Sequence, residues 1–120
     1  PNNHELGQMF GVELEGEEEI AAYARRLQER GARNVLVSMA GDGALLVTKD
    51  GQVLRQGVAK GVVKNSVGAG DSMVAGFLAG YLETGDYGYA LKLGTACGGA
   101  TAFSDGIGTK DEIMRLLATL

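Results

Sequence analysis

The chain has 120 residues, of which 45% are hydrophobic and 22% are charged; this is typical of one globular domain and excludes disorder as the default. Its net charge of −4, without a basic block, argues against nucleic acid and an acidic membrane surface as partners. The single cysteine, Cys97, and the lack of a run of about 18 apolar residues predict a cytoplasmic protein without a membrane-spanning helix. Because the chain begins with Pro1 rather than Met, we expect it to be part of a longer protein.

The first part of the chain predicts two helices. A short turn enters a helix within residues 1–10, where Asn3 is the expected cap and Glu5 lies in the first turn. Residues 17–30 predict an amphipathic helix, because apolar residues from Ile20 onward recur at helical spacing. Glutamates at its start and arginines toward its end suit the helix dipole.

Short apolar runs in the middle of the chain predict strands. We expect them in four segments, at 34–39, 44–49, 52–56 and 61–64. The dipeptide Asp50-Gly51 is a turn signal, so residues 44–56 predict a hairpin.

The last half of the chain predicts three helices, at 71–83, 87–103 and 111–117. Thr109 is the expected cap of the last one. In the first of them, small residues such as Gly76 and Gly80 lie on one side and would let another element approach closely. The order of helix, strands and helices favours the C-terminal part of a layered α/β fold.

A glycine-rich loop, Gly68-Ala69-Gly70, runs directly into the helix that is predicted to begin at Asp71. Backbone N–H groups at a helix N-terminus bind anions, phosphate above all, because the first four have no partner within the helix. Asp71 adds a carboxylate, which in phosphoryl transfer can accept the proton of the attacking hydroxyl. The structural alternative is a tight turn followed by an ordinary first-turn aspartate. The loop is not a Walker A motif. It is not a dinucleotide fingerprint either, because Met73 stands where that motif needs glycine or alanine.

Four ordered segments resemble motifs of the PfkB/ribokinase family of carbohydrate kinases: Pro1–Leu6, Ser38–Ala44, Val67–Ser72 with Gly76-Phe77, and Ala96–Ala100 through Gly108. The third is similar to the C-terminal signature of the family, and the first to its P-N-x-x-E-L segment. The details VKNSVGAGDSMVAGF and ACGGATAFSDGIGT most resemble the 1-phosphofructokinase branch. One departure is Ala40, which stands where the family usually has glycine.

The resemblance implies a role for residues in each motif. Asp71 would be the general base that deprotonates a sugar hydroxyl, and the Gly68–Gly70 backbone would stabilise the transferring phosphoryl group. Asn2 and Glu5 would organise Mg²⁺ through water. The residues that would contact ATP are Ser38, Gly41, Gly43, Lys64, Ser66 and Gly99.

A plain structural interpretation stands beside several of these roles. Asn2 and Glu5 suit a turn and the first turn of a short helix, and residues 38–43 suit an ordinary turn between strands. Packing between helices explains a small residue such as Gly99 equally well. Cys97, in a helix rich in alanine and glycine, suits a small core residue better than a nucleophile.

The resemblance implies an α/β protein, namely the C-terminal part of a ribokinase-like three-layer α/β/α fold with a mostly parallel sheet and helices on both faces. Residues 1–120 would form a single domain fragment with the nucleotide-binding and catalytic part of a sugar kinase, while the sugar-binding part and lid lie outside it. The implied partners are ATP with Mg²⁺ and a sugar phosphate. The resemblance also leaves open a homodimer of the full-length parent. The implied reaction converts fructose 1-phosphate and ATP into fructose 1,6-bisphosphate and ADP. A kinase for tagatose 6-phosphate, fructose 6-phosphate or a nucleoside stays open, as does a non-catalytic nucleotide-binding module.

Overall fold

Among the residues that the structure describes, two helices and three strands come first along the chain, and three further helices follow. The computed structural model describes residues 1–61, 63–64, 68–103 and 108–120. Seven residues of the sequence motifs lie outside these ranges, namely residues 65–67 and 104–107. The chain divides into two units, 1–55 and 56–120.

The first five elements are α1 (Asn3–Phe10), α2 (Gly16–Glu29), β1 (Val35–Ser38), β2 (Ala44–Val47) and β3 (Val53–Gln56). Each was predicted from the sequence, and the bounds differ by one or two residues. Such differences are expected, because element ends depend on individual hydrogen bonds more than on composition.

The three strands form one sheet in the order β1-β2-β3. β1 and β2 pair antiparallel, with Val35 opposite Val47 and Ser38 opposite Ala44. The expectation of a mostly parallel sheet is therefore wrong for the described strands. Their connections are too short, because parallel neighbours need a crossover of about a dozen residues or more. The described residues do contain one parallel contact, a bridge between Asn2 and Ser38.

The core of the first unit lies on one face of the sheet. Val35 and Val37 of β1 and Leu45 and Val47 of β2 point to this face, because alternate strand residues share a side. They pack against apolar residues of α1 and α2, namely Leu6, Ile20, Ala21 and Ala24. Burial of one large aliphatic side chain contributes roughly 1.5–3 kcal/mol, so this layer holds both helices on the sheet.

Asn2 caps α1, and the prediction that Asn3 does so is wrong. Asn2 Oδ1 accepts a hydrogen bond from the Glu5 N–H at 2.7 Å, and the Asn2 N–H donates to Glu5 Oε1 at 2.9 Å. This capping box needs an extended backbone at the cap, which Asn2 has (φ −83°, ψ 170°). Asn3 already belongs to the first turn of the helix.

The connection between β1 and β2 is a tight turn that contains two positive φ angles. A 3₁₀ turn covers Ala40–Asp42, and the Met39 N–H donates to the Gly43 carbonyl oxygen at 2.8 Å. Gly43 has φ 96° and ψ −137°, a conformation that glycine adopts and other residues avoid. Ala40 has φ 48°, where a Cβ crowds the following carbonyl at a cost of roughly 1–2 kcal/mol. Ala40 is therefore strained. The glycine that the family usually has at this position would adopt the same φ without strain.

The second unit contains α3 (Ala69–Thr84), α4 (Tyr87–Ala102) and α5 (Lys110–Leu117). Thr109 caps α5 as predicted, since its hydroxyl oxygen accepts from the Glu112 N–H at 3.3 Å. None of the helices in the described part of the chain has both the length and the apolar character needed to cross a membrane.

The strand predicted near 61–64 is absent from the described residues of that segment. Gly61 and Lys64 are bends. The Lys64 N–H donates to the Ala102 carbonyl oxygen at 2.8 Å, so the segment is tied to the end of α4 rather than to a strand.

Glycines on both helices bring α3 and α4 into backbone contact. A Cβ added at Gly76 would lie 2.6 Å from Cys97 Sγ and 3.1 Å from Gly94 Cα. A Cβ added at Gly94 would lie 2.7 Å from the Met73 carbonyl oxygen. Side chains cannot come so close to backbone atoms, so the approach depends on glycine at these positions. The predicted close approach on the small side of α3 is confirmed.

We expect Ala40→Gly to raise the free energy of unfolding by about 1 kcal/mol, because glycine adopts a positive φ without the Cβ clash. The control is Ala79→Gly, at an exposed position inside α3, which should lower that free energy by roughly 0.5–1 kcal/mol. Urea unfolding of the full-length protein measures both. A loss of stability in both variants would contradict strain at Ala40.

Gly76→Ala is expected to lower the free energy of unfolding by about 1–3 kcal/mol, because the added methyl group overpacks the contact between α3 and α4. Gly88→Ala is the matched control in α4, since a Cβ there meets only Asp86 Oδ1, at 3.3 Å. Thermal unfolding of the two variants should separate them. Equal melting temperatures would show that the helices do not need glycine at position 76.

Candidate active site

The first turn of α3 presents backbone N–H groups that the helix does not use. Gly68 is the cap, with φ 82°, and its carbonyl oxygen accepts the first helical hydrogen bond from the Ser72 N–H at 2.9 Å. The N–H groups of Ala69, Gly70 and Asp71 have no acceptor among the described residues. Three free N–H groups at the positive end of a helix can bind an anion.

The prediction that α3 begins at Asp71 is wrong, since the helix begins at Ala69. Gly68 supplies a left-handed cap, and Ala69 and Gly70 then continue as helix. Asp71 is consequently the third helical residue and adds its own N–H to the set. The sequence prediction placed the N–H groups on Gly68–Gly70 and missed this one, because it took the glycine-rich segment to be a loop.

Neither the backbone conformation nor packing against the described atoms requires glycine at position 70. Its φ is not positive, and a Cβ built there meets nothing within 4 Å among the described atoms. Gly68, in contrast, needs glycine for its positive φ. Open space beside Gly70 would let a ligand approach the backbone closely.

The Asp71 carboxylate is exposed and has no hydrogen bond or ion pair to any described residue. It does not cap its own helix. A negative charge in the first turn of a helix is favourable by about 0.3–1 kcal/mol. A carboxylate in this state can accept a proton from a hydroxyl group held at the same turn.

The C-terminal half of α4 supports the first turn of α3. A Cβ at Gly98 would lie 3.0 Å from the Ala69 carbonyl oxygen, so the two backbones are in contact at this point. Ser72 Oγ and Thr101 Oγ1 are 2.8 Å apart and form a hydrogen bond. Sequence reasoning missed Thr101, because no pattern in the sequence connects position 101 with position 72.

Asn2 and Glu5, the predicted organisers of Mg²⁺, lie together in the capping box of α1 in the first unit. The structural interpretation of these two residues is thus correct. Glu5 is exposed, and only its Oε1 takes part in the box. One carboxylate oxygen fits magnesium, which keeps several waters and takes one or two carboxylates along with phosphate oxygens. Within the described ranges, no three acidic, histidine or cysteine side chains cluster as a metal site, so the magnesium role stays a prediction.

Three of the predicted ATP contacts lie at the end of β1 and in the turn after it. The Ser38 N–H donates to the Pro1 carbonyl oxygen at 3.0 Å, so this segment begins beside the capping box of α1. The hydroxyl of Ser38 has no partner among the described residues. Gly41 lies in the 3₁₀ turn, and Gly43 follows it. The structure brings these residues together, and their contact with ATP stays a prediction.

The other predicted ATP contacts belong to the second unit of the chain, 56–120. Lys64 is exposed, and Ser66 lies outside the described residues. Gly99 packs into the core of the second unit, where an added Cβ would lie 3.0 Å from Ala59 Cβ and 3.5 Å from Leu116 Cδ1. Helix packing therefore explains glycine at position 99, and its contact with ATP stays a prediction.

Cys97 is a half-buried residue of α4 that packs against α3. Burial raises the pKa of the Cys97 thiol. A raised pKa keeps the thiol protonated near neutral pH, and the sulfur packs against Gly76. Both observations favour the structural interpretation of Cys97 over a nucleophile.

Residues 1–114 match the family described as pfkB family carbohydrate kinase. Over 117 residues the chain is 51% identical to 1-phosphofructokinase from Bacillus subtilis (strain 168), covering 98% of this chain and 38% of that protein. Over 115 residues it is 41% identical to D-tagatose-1-phosphate kinase from Bacillus licheniformis, covering 94% of this chain and 37% of that protein. The chain thus spans less than two fifths of the length of these curated relatives.

The fold is similar to that of a solved ribokinase. The structure of Arabidopsis thaliana ribokinase complexed with ribose and ATP matches with a TM-score of 0.88 at 23% identity, covering 98% of this chain and 39% of that chain. This likeness confirms the predicted ribokinase-like α/β fold class. The family match over residues 1–114 shows that the chain belongs to the pfkB family of carbohydrate kinases.

Proposed function

We propose that these 120 residues carry the nucleotide-binding and catalytic part of a kinase that transfers a phosphoryl group from ATP to fructose 1-phosphate. The observation that carries the proposal is the first turn of α3, where three N–H groups and the Asp71 carboxylate occur together, none of them bonded to a described residue. The family and the 51% identity to a 1-phosphofructokinase support it. The residues that bind the sugar are proposed to lie outside residues 1–120.

In the proposed reaction, the first turn of α3 binds the phosphoryl group during its transfer. The N–H groups of Ala69, Gly70 and Asp71 stabilise negative charge on its oxygens, and the helix already holds them in position. The sugar hydroxyl oxygen bonds to the γ-phosphorus while the bond to the ADP oxygen breaks, and the Asp71 carboxylate accepts the hydroxyl proton. The products are fructose 1,6-bisphosphate and ADP.

ATP is the proposed phosphoryl donor, and Mg²⁺ neutralises charge on its phosphates when bound. The family and the similarity to a ribokinase solved with ATP support this choice. Asn2 and Glu5 are proposed to hold the ion through water, and Glu5 Oε2, which bonds to no described residue, supports that role. The proposed ATP contacts are Ser38, Gly41, Gly43, Lys64, Ser66 and Gly99.

D-tagatose 1-phosphate is the second candidate substrate, because a relative with 41% identity is a D-tagatose-1-phosphate kinase. Both sugars are ketohexose 1-phosphates with a free hydroxymethyl group. The same base and N–H groups of α3 would therefore serve either one.

We also propose that the protein lies in the cytoplasm. A homodimer of the full-length protein stays a prediction. The cytoplasmic location is supported by the one cysteine of the chain, Cys97, which is free. Phosphorylation of a small sugar phosphate by ATP also suits that compartment.

Asp71→Asn in the full-length protein is expected to lower kcat by about 10²–10⁴-fold, because asparagine cannot accept the hydroxyl proton. ATP affinity should stay within about threefold, since the N–H groups of α3 are unchanged. The measurement is ADP release with fructose 1-phosphate, D-tagatose 1-phosphate and fructose 6-phosphate, together with ATP binding by calorimetry.

The matched control for this variant is Asp111→Asn. Asp111 is also an exposed carboxylate in the first turn of a helix, α5. It should lose only the interaction with the helix dipole, about 0.3–1 kcal/mol of stability, and keep its turnover. Full turnover by Asp71→Asn would remove Asp71 as the base, and a loss in both variants would trace the effect to stability.

Gly70→Ala tests the open space beside the first turn of α3. The added methyl group meets no described atom, so we expect the free energy of unfolding to stay equal or rise by up to about 1 kcal/mol. The same methyl group obstructs the phosphoryl group, and kcat/KM should fall by roughly 10²-fold.

Gly88→Ala is the control for Gly70→Ala, because both glycines occupy the second position of a helix. It should leave kcat/KM unchanged. Unchanged kcat/KM in the Gly70 variant would contradict phosphoryl binding at this turn.

A further inference from the structure

A chain of hydrogen bonds connects the first turn of α3 with the end of α4 and the segment before α5. Ser72 Oγ and Thr101 Oγ1 are 2.8 Å apart, and the Gly108 N–H donates to Thr101 Oγ1 at 3.2 Å. Thr101 is buried, with 4% of its surface exposed. The hydroxyl of Thr101 therefore joins three separate segments at one point.

Thr101 differs from the other helical threonines of the second unit. The Thr84 hydroxyl donates to the Gly80 carbonyl oxygen at 2.7 Å, and the Thr95 hydroxyl donates to the Leu91 carbonyl oxygen at 2.8 Å. Each of those bonds stays within its own helix. Among the described residues, the partners of the Thr101 hydroxyl are instead the Ser72 hydroxyl and the Gly108 N–H.

Which group donates in each of these hydrogen bonds follows from the protons that each group carries. An N–H can only donate, so Thr101 Oγ1 accepts from Gly108. A buried hydroxyl proton without an acceptor is costly, and among the described residues Ser72 Oγ is the acceptor within reach. The Thr101 hydroxyl can therefore donate to Ser72 while it accepts from Gly108.

We propose that Thr101 is a positioning residue, which fixes the first turn of α3 through Ser72 for phosphoryl transfer. Ser72 follows Asp71 directly, and its N–H closes the turn by donating to the Gly68 carbonyl oxygen at 2.9 Å. A side chain anchored to α4 and a backbone bonded to Gly68 together hold the free N–H groups in place. The inference rests on the proposed role of this turn in catalysis.

The test uses the full-length protein and four variants: Thr101→Val, Thr101→Ser, Ser72→Ala and the double variant Ser72→Ala/Thr101→Val. Valine keeps the shape of threonine and removes the hydroxyl, whereas serine keeps the hydroxyl. We expect Thr101→Val to lower kcat by about tenfold with KM for ATP within about twofold, because a small displacement of the turn affects the transition state most. Thr101→Ser should restore kcat to within about twofold, and the double variant should be no slower than the slower single variant.

Thr95→Val is the matched control. Thr95 is also buried in α4, but its hydroxyl bonds within the helix. Its melting temperature should fall about as much as that of Thr101→Val, while kcat should not change. Hydrogen–deuterium exchange of the Ser72 amide, whose N–H donates to the Gly68 carbonyl oxygen, should become faster in Thr101→Val and stay unchanged in Thr95→Val.

The readouts separate this inference from the proposed function. Unchanged kcat and unchanged amide exchange in Thr101→Val, or a kcat that serine fails to restore, would overturn the positioning role. If Asp71→Asn keeps its turnover while Thr101→Val still speeds amide exchange, the proposed base is wrong and Thr101 still positions the turn. If Asp71→Asn loses turnover and Thr101→Val behaves as Thr95→Val does, only the inference about Thr101 fails.

Discussion

The backbone contact between α3 and α4 is the constraint on which the candidate site depends. Gly94 and Gly98 of α4 lie against carbonyl oxygens of α3. A Cβ added at Gly94 would lie 2.7 Å from the Met73 oxygen, and one added at Gly98 would lie 3.0 Å from the Ala69 oxygen. Backbone held against backbone has no side-chain torsions to relax. The first turn of α3 is therefore fixed before any ligand arrives, which is the condition under which N–H groups stabilise charge effectively.

Charge in this turn poses a second constraint. Free N–H groups attract an anion, whereas the Asp71 carboxylate in the same turn repels one. The helix dipole stabilises either negative charge, and exposure to solvent reduces the repulsion between them. A magnesium ion on the incoming phosphates would reduce it further. A carboxylate that bonds to no described residue, beside N–H groups able to bind an anion, is understandable if it takes part in the reaction, as we propose for Asp71.

The sequence predicted the order and type of the elements well, because amphipathic spacing and apolar runs are local signals. It misjudged features that depend on contacts between distant residues. The glycine-rich segment was taken for a loop, but Ala69 and Gly70 are helical, and α4 packs against the Ala69 carbonyl oxygen. The segment at 61–64 was expected to be a strand, but it bonds to the end of α4.

The candidate site was predictable to a similar extent. Asp71 and the adjoining glycines stood out from the sequence because a glycine-rich segment before a helix has a known chemistry with anions. The resemblance to a kinase family pointed to the same residues. Thr101 carried no such signal, since its partner Ser72 lies 29 positions away. In the first unit, the strain at Ala40 became visible only with its φ of 48°.

The central claim is that the N–H groups of α3 bind the phosphoryl group in transfer. Its most direct test is a crystal structure of the full-length protein with Mg-ADP, fructose 1-phosphate and aluminium fluoride, which mimics that group. We predict that the fluoride ligands lie about 3 Å from the backbone nitrogens of Ala69, Gly70 and Asp71. A mimic bound beyond hydrogen-bond distance of all three nitrogens would contradict the claim.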